Sequence, residues 1–297
     1  MKIATHPFHR AVEFYLLNLF PEHEFQFVSN KGLPSAPESM PMRPHPKNYR
    51  LVDHFEDCDF AIAHSKPGYL YFRNKIRTIM KFDNMPFFKS QWYGINDIKV
   101  AVHYTHEASS YWGFGEQRFV CYHPIESFGV NVGDDRRFLN MATMPINWFG
   151  QMKGAGLLRY LIVNGIPIKL VGMNNEKDYP MCDPEFVTSE ERMKEILCSH
   201  IAYACTSPQF ERSPLEAMST GMPVIMIRHP FNTLLNELGD LIIFAETPAD
   251  YVEICRDILL NGHGKDKDKI RERVAKIFTP SIVRAQWQKA FDAILTY

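Results

Sequence analysis

Long apolar runs are missing from this chain of 297 residues. No stretch approaches the roughly 18 consecutive apolar residues that a membrane-spanning helix requires, so a helical membrane protein is excluded. The opening MKIATHPFHR turns polar after four residues and does not read as a secretory leader. Cysteine is sparse and scattered, at 58, 121, 182, 198, 205 and 255. No pair forms C-x-x-C and none sits at zinc-ligand spacing from a histidine. That pattern excludes a disulfide framework and reads as reduced, mostly buried thiols in a cytoplasmic protein. Net charge is also missing: the formal value is −1, which gives no global attraction to nucleic acid or to an anionic membrane. Internal repeats and low-complexity tracts are absent.

What is present is a globular composition, 45% hydrophobic and 23% charged, long enough for two ordinary domains. Short apolar runs alternate with helical patterns. MKIAT (1–5), EFQFVS (24–29), DFAIAHS (59–65), IKVAVHYT (98–105) and RFVCYH (118–123) read as strands, with helices over 11–20 and around 70–82. The proline-rich segment 33–50 reads as a loop. In the second half, 144–150, 166–173, 201–206, 222–228 and 241–246 read as strands. Helical spacing covers 153–165, 188–200, 233–239, 248–262, 266–277 and 281–295, and another helix begins near Ser213. Gly165 is placed to end the first of these, and Thr188 with Glu191 forms a capping-box pattern. Such alternation implies parallel sheets with helices on both faces. About 11 strands are too many for one doubly wound sheet, so the reading is an α/β chain of two Rossmann-like domains. GVNVGDDRRFLN (129–140) reads as the linker between them. In such sheets ligands bind at the carboxyl ends of the strands, beside helix N-termini.

The segment SPQFERSPLEAMSTGMPVIMIR (207–228) fits that rule. Ser213 is a natural N-cap, Pro214 suits the first turn, and Glu216 falls in that turn. A carboxylate there can accept two ribose hydroxyls while the helix N–H groups face phosphate. Position alone is equally consistent with a residue that complements the helix dipole.

SPLEAMSTGMPVI resembles the E-A-M-A-x-G-x-P-V-I signature of GT4-type glycosyltransferases, which have the GT-B fold of two Rossmann-like domains facing a central cleft. WFGQMKGAGLLRYL is similar to that family's segment ending in K-G, and IPIKLVGMNN to the strand that follows it. Residues 233–262 resemble its closing strand and helix. The likeness spans roughly 144–262. It implies a domain of residues 1–140 that binds an acceptor, a domain of residues 141–280 that binds a nucleotide sugar, and a helix 281–297 packing back on the first. It implies a retaining transferase moving a hexosyl or pentosyl group, with no bound metal and no cofactor, the nucleotide sugar being a co-substrate.

Donor-binding residues implied by the resemblance are Gly150, Lys153, Ser213, Pro214, Leu215 and Glu216, with Lys153 on the diphosphate and Glu216 on the ribose. Two positions depart from the pattern. The family's sugar-contacting Glu, eight residues before the ribose Glu, is here Pro208, and its Arg five or six residues before the Lys is here Trp148 or Asn147. Glu211 is the carboxylate placed to take over the sugar contact. The E-x-x-x-x-E spacing of Glu211 and Glu216 resembles the T-even phage type of DNA α-glucosyltransferase, which acts on hydroxymethylated cytosine.

VAVHYTHEASS (100–110) runs from a strand into His103, His106 and Glu107. By resemblance His106 hydrogen-bonds the sugar and Glu107 orients it or accepts a proton. His103 and His106 point to opposite faces of an extended strand and do not make a metal pair. His6 in THPFHR (5–10) either lines the acceptor side or belongs to a plain turn. Between 60 and 96 six basic residues, among them Arg73, Lys75 and Arg77, stand against one acid and among nine aromatics. That mixture suits a phosphate backbone with unstacked bases, an anionic lipid surface, or a solvated helix face over an aromatic core. The implied acceptor is therefore a glycan, a lipid or modified DNA. A GT-B-like protein that binds a nucleotide sugar without transferring it is the non-enzymatic alternative. The sequence fixes no oligomeric state.

Overall fold

The computed structural model describes residues 1–7, 10–29, 46–82, 95–141, 153–172, 175–207, 212–230 and 232–297. The chain divides into two compact units, residues 1–124 with 280–297, and residues 125–279.

The first unit begins with β1 (Lys2–Thr5), α1 (Arg10–Leu19), β2 (Glu24–Val28) and β3 (Tyr49–Val52). It continues through β4 (Phe60–Ala63), α2 (Lys66–Phe72), β5 (Thr78–Phe82), β6 (Val100–His103), α3 (His106–Trp112) and β7 (Gln117–Val120). Among the described residues the strands form one parallel sheet in the order β3-β2-β1-β4-β5-β6-β7. The inner strands FAIA, TIMKF and VAVH are buried at every position, as parallel strands covered on both faces must be. The order reverses between β1 and β4, so the topological switch point lies at their carboxyl ends.

The second unit holds β8 (Asp135–Met141), α4 (Ala155–Val163), β9 (Ile168–Val171), a 3-10 turn (Pro180–Cys182) and α5 (Glu190–Ser199). Then come β10 (His200–Cys205), α6 (Arg212–Ser219), β11 (Val224–Ile227), α7 (Leu235–Leu238), β12 (Ile243–Ala245), α8 (Pro248–Asn261) and α9 (Lys267–Phe278). These strands are parallel in the order β12-β11-β10-β8-β9, with the reversal between β8 and β10. One face of the sheet is covered by Leu158 and Leu161 of α4 and by Tyr251, Val252 and Cys255 of α8. Helix α10 (Pro280–Thr296) belongs to the first unit, where Phe291 packs on Phe20, Phe60 and Trp287 at ring separations of 4.8, 5.0 and 5.8 Å.

Several expectations are corrected. The helix placed around 70–82 is α2 ending at Phe72 followed by β5. Ser65 caps α2 by accepting the Gly68 N–H at 3.2 Å, which fixes the start one turn earlier. A wholly buried strand carries no alternation, so its apolar run mimics a buried helix. The supposed linker 129–140 contains most of β8, and the units divide at Pro124 rather than at 140. DDRRFLNM looks like a linker because its amino end is charged, yet Phe138 and Leu139 are fully buried. Strand β3 starts inside the segment assigned to a loop. Helix α5 is capped by Ser189 rather than Thr188. The expected strand 144–150 lies outside the described residues. Gly165, at φ +76°, follows α4 as foreseen, with Ile166 N–H bonded to the Leu161 carbonyl at 3.1 Å and Gly165 N–H to that of Ile162 at 3.0 Å.

Candidate functional site

At the switch point of the second unit, three segments are knotted by side chains that follow buried strands. Asn140, near the end of β8, donates through Nδ2 to the Ala204 carbonyl at 2.7 Å and to Thr206 Oγ1 at 3.2 Å. Thr206 Oγ1, just past β10, donates to the Lys153 carbonyl at 3.0 Å. Lys153 and Gly154 lead into α4, and Gly154 stands at φ +86°. A Cβ on Gly154 would lie 2.0 Å from the Thr206 carbonyl oxygen, so only glycine lets α4 start this close to β10. Gly154, the N-cap of α4, has no side chain with which to bond the first-turn amides. An open groove of about 420 Å³ lies beside that turn, lined by Gly156, Leu157, Tyr160, Thr247, Pro248 and Ala249.

The first turn of α6 is tied to the same edge. The Tyr203 phenol accepts the Met141 N–H at 3.1 Å and shares a hydrogen bond with Ser213 Oγ at 2.9 Å. Ser213 is therefore inside the helix, not its N-cap, because α6 begins at Arg212. Glu216 is the fifth residue of α6, one step beyond the expected first turn. It is 3% exposed, and Arg212 Nε donates to its Oε1 at 2.8 Å. Pro214 and Leu215 are buried and brace the turn. Glycine is required once more at Gly221, where φ is +90° and a Cβ would meet the Lys267 carbonyl at 2.7 Å. Of the donor-side residues, the structure thus gathers Lys153, Ser213, Pro214, Leu215 and Glu216 at the carboxyl ends of β8 and β10. Gly150 and Glu211 lie outside the described residues.

The first unit has a corresponding cluster at its own switch point. His6 follows β1, and its Nε2 accepts the His64 N–H at 3.1 Å and lies 3.3 Å from Ser65 Oγ. Its Nδ1 lies 3.1 Å from the Pro7 carbonyl. Because Nε2 accepts a backbone N–H, the proton resides on Nδ1, which donates to Pro7. Burial, then the neighbouring His64, lowers the His6 pKa to about 4. His6 is wholly buried and its ring is bonded within the loop, so of the two readings the turn fits and the acceptor-side one does not. Gly68 allows this, since a Cβ there would lie 2.1 Å from His6 Nε2. His106 is the first residue of α3 and is exposed, its ring 6.3 Å from that of Tyr122, while Glu107 is half-buried beside it. Thr105 caps α3 by accepting the Ala108 N–H at 3.1 Å. His103 is buried and stacks on Phe82 at 5.1 Å, and burial lowers its pKa to about 4.

The basic trio is corrected as an acceptor surface. Arg73, Lys75 and Arg77 precede β5 and so lie at the amino edge of a parallel sheet, whereas His6 and His106 lie at the carboxyl edge. Each has a local partner. Arg73 bonds Asp97 at 3.1 Å, Lys75 Nζ sits 3.5 Å over the Tyr71 ring, and Arg77 donates to the Leu295 carbonyl at 2.6 Å.

Asn140, Tyr203 and Thr206 carry the geometry and were not singled out from the sequence. Thr206 was legible as the first polar residue after an apolar run, but Asn140 was hidden within the apparent linker. No group of three or more His, Cys, Asp or Glu able to hold a metal ion occurs among the described residues.

No protein-family model matches the chain, and no curated protein matches it in sequence. Solved structures do match in fold. The sucrose-phosphate synthase of Thermosynechococcus elongatus superposes with a TM-score of 0.72 at 12% identity, covering 100% of this chain and 99% of that one. HepE of Anabaena, in complex with UDP and glucose, gives 0.69 at 11% identity over 98% and 99%. WaaG, a glycosyltransferase involved in lipopolysaccharide biosynthesis, gives 0.63 at 12% identity over 99% of each chain. The chain therefore has the GT-B fold, with two Rossmann-like units.

Proposed function

We propose that the chain is a glycosyltransferase that takes a sugar from a nucleotide-activated donor held by the second unit. One observation carries this reading: the second unit of a GT-B fold has a buried carboxylate, Glu216, on α6, and the Lys153 backbone is tied by Thr206 to the end of β10 at its switch point. Glu216 would accept the two ribose hydroxyls. Lys153 and the first-turn amides of α4 would meet the diphosphate and offset the charge that builds on it as the sugar leaves. The HepE complexes with UDP, UDP and glucose, and UDP-glucose favour a uridine diphosphate carrier for a chain of this fold.

The first unit would receive the acceptor, with His106 and Glu107 at its carboxyl edge as the groups that meet sugar or acceptor hydroxyl. We expect retention of configuration, with the leaving diphosphate accepting the acceptor's proton on the same face. Glycan and lipid acceptors remain the first classes to try. The DNA reading loses one of its supports, since the basic trio lies at the amino edge with partners of its own.

The test is a thermal-shift screen with UDP, GDP, ADP and TDP sugars, followed by product analysis with the one that binds. A bound donor raises the melting temperature by mass action. Glu216→Ala and Lys153→Ala should each abolish that rise. Undiminished binding in both variants would overturn the assignment, and binding without hydrolysis or transfer would leave the non-enzymatic alternative in its place.

A further inference from the structure

Arg212 is an odd choice for the first residue of a helix. A cation there faces the positive end of the helix dipole, where anions are favoured. Its partner Glu216 lies four residues on, and this order, base before acid, is the weaker one for an i,i+4 pair. The pair is nonetheless well buried, with side chains 13% and 4% exposed. Local helix energetics do not account for it.

The location does. Ser213, the next residue, is bound through Tyr203 to the end of β8, and Thr206 binds the Lys153 backbone to the end of β10. Arg212 and Lys153 therefore flank one switch point, Arg212 at the start of α6 and Lys153 just ahead of α4. Arg212 already occupies Oε1 of the carboxylate that a ribose would need.

We propose that Arg212 is a donor-binding residue held in reserve: it neutralises Glu216 in the free protein and transfers to the donor's diphosphate when ribose hydroxyls take the carboxylate. The proposal rests on the donor reading above. The exchange leaves every charged group hydrogen-bonded. A buried carboxylate that loses its guanidinium gains hydroxyl donors, and the guanidinium gains phosphate oxygens that match its planar fork. It also makes the dipole argument favourable, because the anion then sits at the helix N-terminus with the arginine beside it.

The experiment titrates wild type, Arg212→Ala, Arg212→Lys and the double variant Arg212→Ala/Glu216→Gln with UDP, GDP and ADP, then with the nucleoside of whichever binds. The double variant removes the unpaired buried charge, so that loss of folding in Arg212→Ala cannot decide the result. Against the nucleoside diphosphate, Arg212→Ala is expected to lose roughly 10- to 100-fold in affinity, the size of a lost charge-assisted hydrogen bond. Against the bare nucleoside it should lose nothing or gain, because Arg212 no longer competes for Oε1 of Glu216. Arg212→Lys should recover part of the diphosphate affinity. An equal loss for diphosphate and nucleoside would make Arg212 a purely structural partner of Glu216 and overturn the proposal, leaving the donor reading intact. Failure of the wild type to bind any of the three diphosphates would overturn both.

Discussion

Glu216 and His6 show how buried polar residues can serve opposite ends. Both are buried and polar; His6 directly follows a parallel strand and Glu216 lies in the helix that follows another. His6 has both ring nitrogens engaged by its own loop, while Glu216 has Arg212 Nε on its Oε1 at 2.8 Å. We therefore expect Glu216→Gln to weaken binding of the donor nucleotide about tenfold or more, because the amide keeps the shape but loses the charge that strengthens hydroxyl donors. Calorimetric titration checks this. His6 and His103 govern acid stability instead. Each takes a proton near its ordinary value of 6.5 when unfolded and resists it to about 4 when folded. Between those values the unfolded chain binds more protons, so stability is full above pH 6.5 and falls as pH drops toward 4. Each contributes on the order of 3 kcal/mol across that window. Urea melts from pH 7 to 4.5 should show the fall, and His103→Phe, which keeps the stacking on Phe82, should flatten it by about one proton. An unchanged slope would mean that His103 is solvated in the native state.

At the level of elements, the site depends on how closely α4 can approach β10. Gly154 sets that distance, and Gly154→Ala is expected to cost about 1–3 kcal/mol through strain at positive φ and the clash with Thr206. It should also displace Lys153 and weaken nucleotide binding more than Gly156→Ala, whose Cβ meets nothing within 4 Å. Thermal melts and titrations of the two variants, side by side, measure the difference. Helix α8 is fixed to the same sheet by Tyr251, whose buried hydroxyl donates to the Ile225 carbonyl at 2.8 Å. Tyr251→Phe should cost about 1–2 kcal/mol with no effect on the nucleotide. Much of this layer was legible. The E-A-M…G-x-P-V block announced α6 and β11, and the K-G block announced α4. β5 and β8 were not legible as strands. A five-residue buried strand has no alternation to betray it, and the charged start of β8 masked the apolar residues that follow.

Across the whole molecule, α10 joins the first unit although it comes last in sequence. Phe291 and Trp287 fill the space beside Phe20 and Phe60, and Gln286 accepts the Tyr122 N–H at 3.1 Å. Removing residues 280–297 should therefore leave the first unit with an open aromatic core and unable to fold cooperatively. The second unit, whose elements all lie within 125–279, should keep its secondary structure and its nucleotide affinity. Circular dichroism and titration of the truncated chain test this. Retained cooperative melting of the first unit would show that its core closes without the helix.

The sequence by itself determined the class of fold, the alternation of strand and helix, and the segments that carry Lys153 and Glu216. These depend on local periodicity and on glycine, proline and acidic residues at fixed spacing. Only the tertiary structure decided which edge of each sheet a residue reaches. It separated the basic trio from His6 by the length of a strand and turned His6 inward. It also brought Asn140, Lys153, Tyr203 and Arg212, far apart in the chain, to one switch point. Strand order is set by pairing between distant segments, and that pairing leaves no mark on the spacing of neighbours.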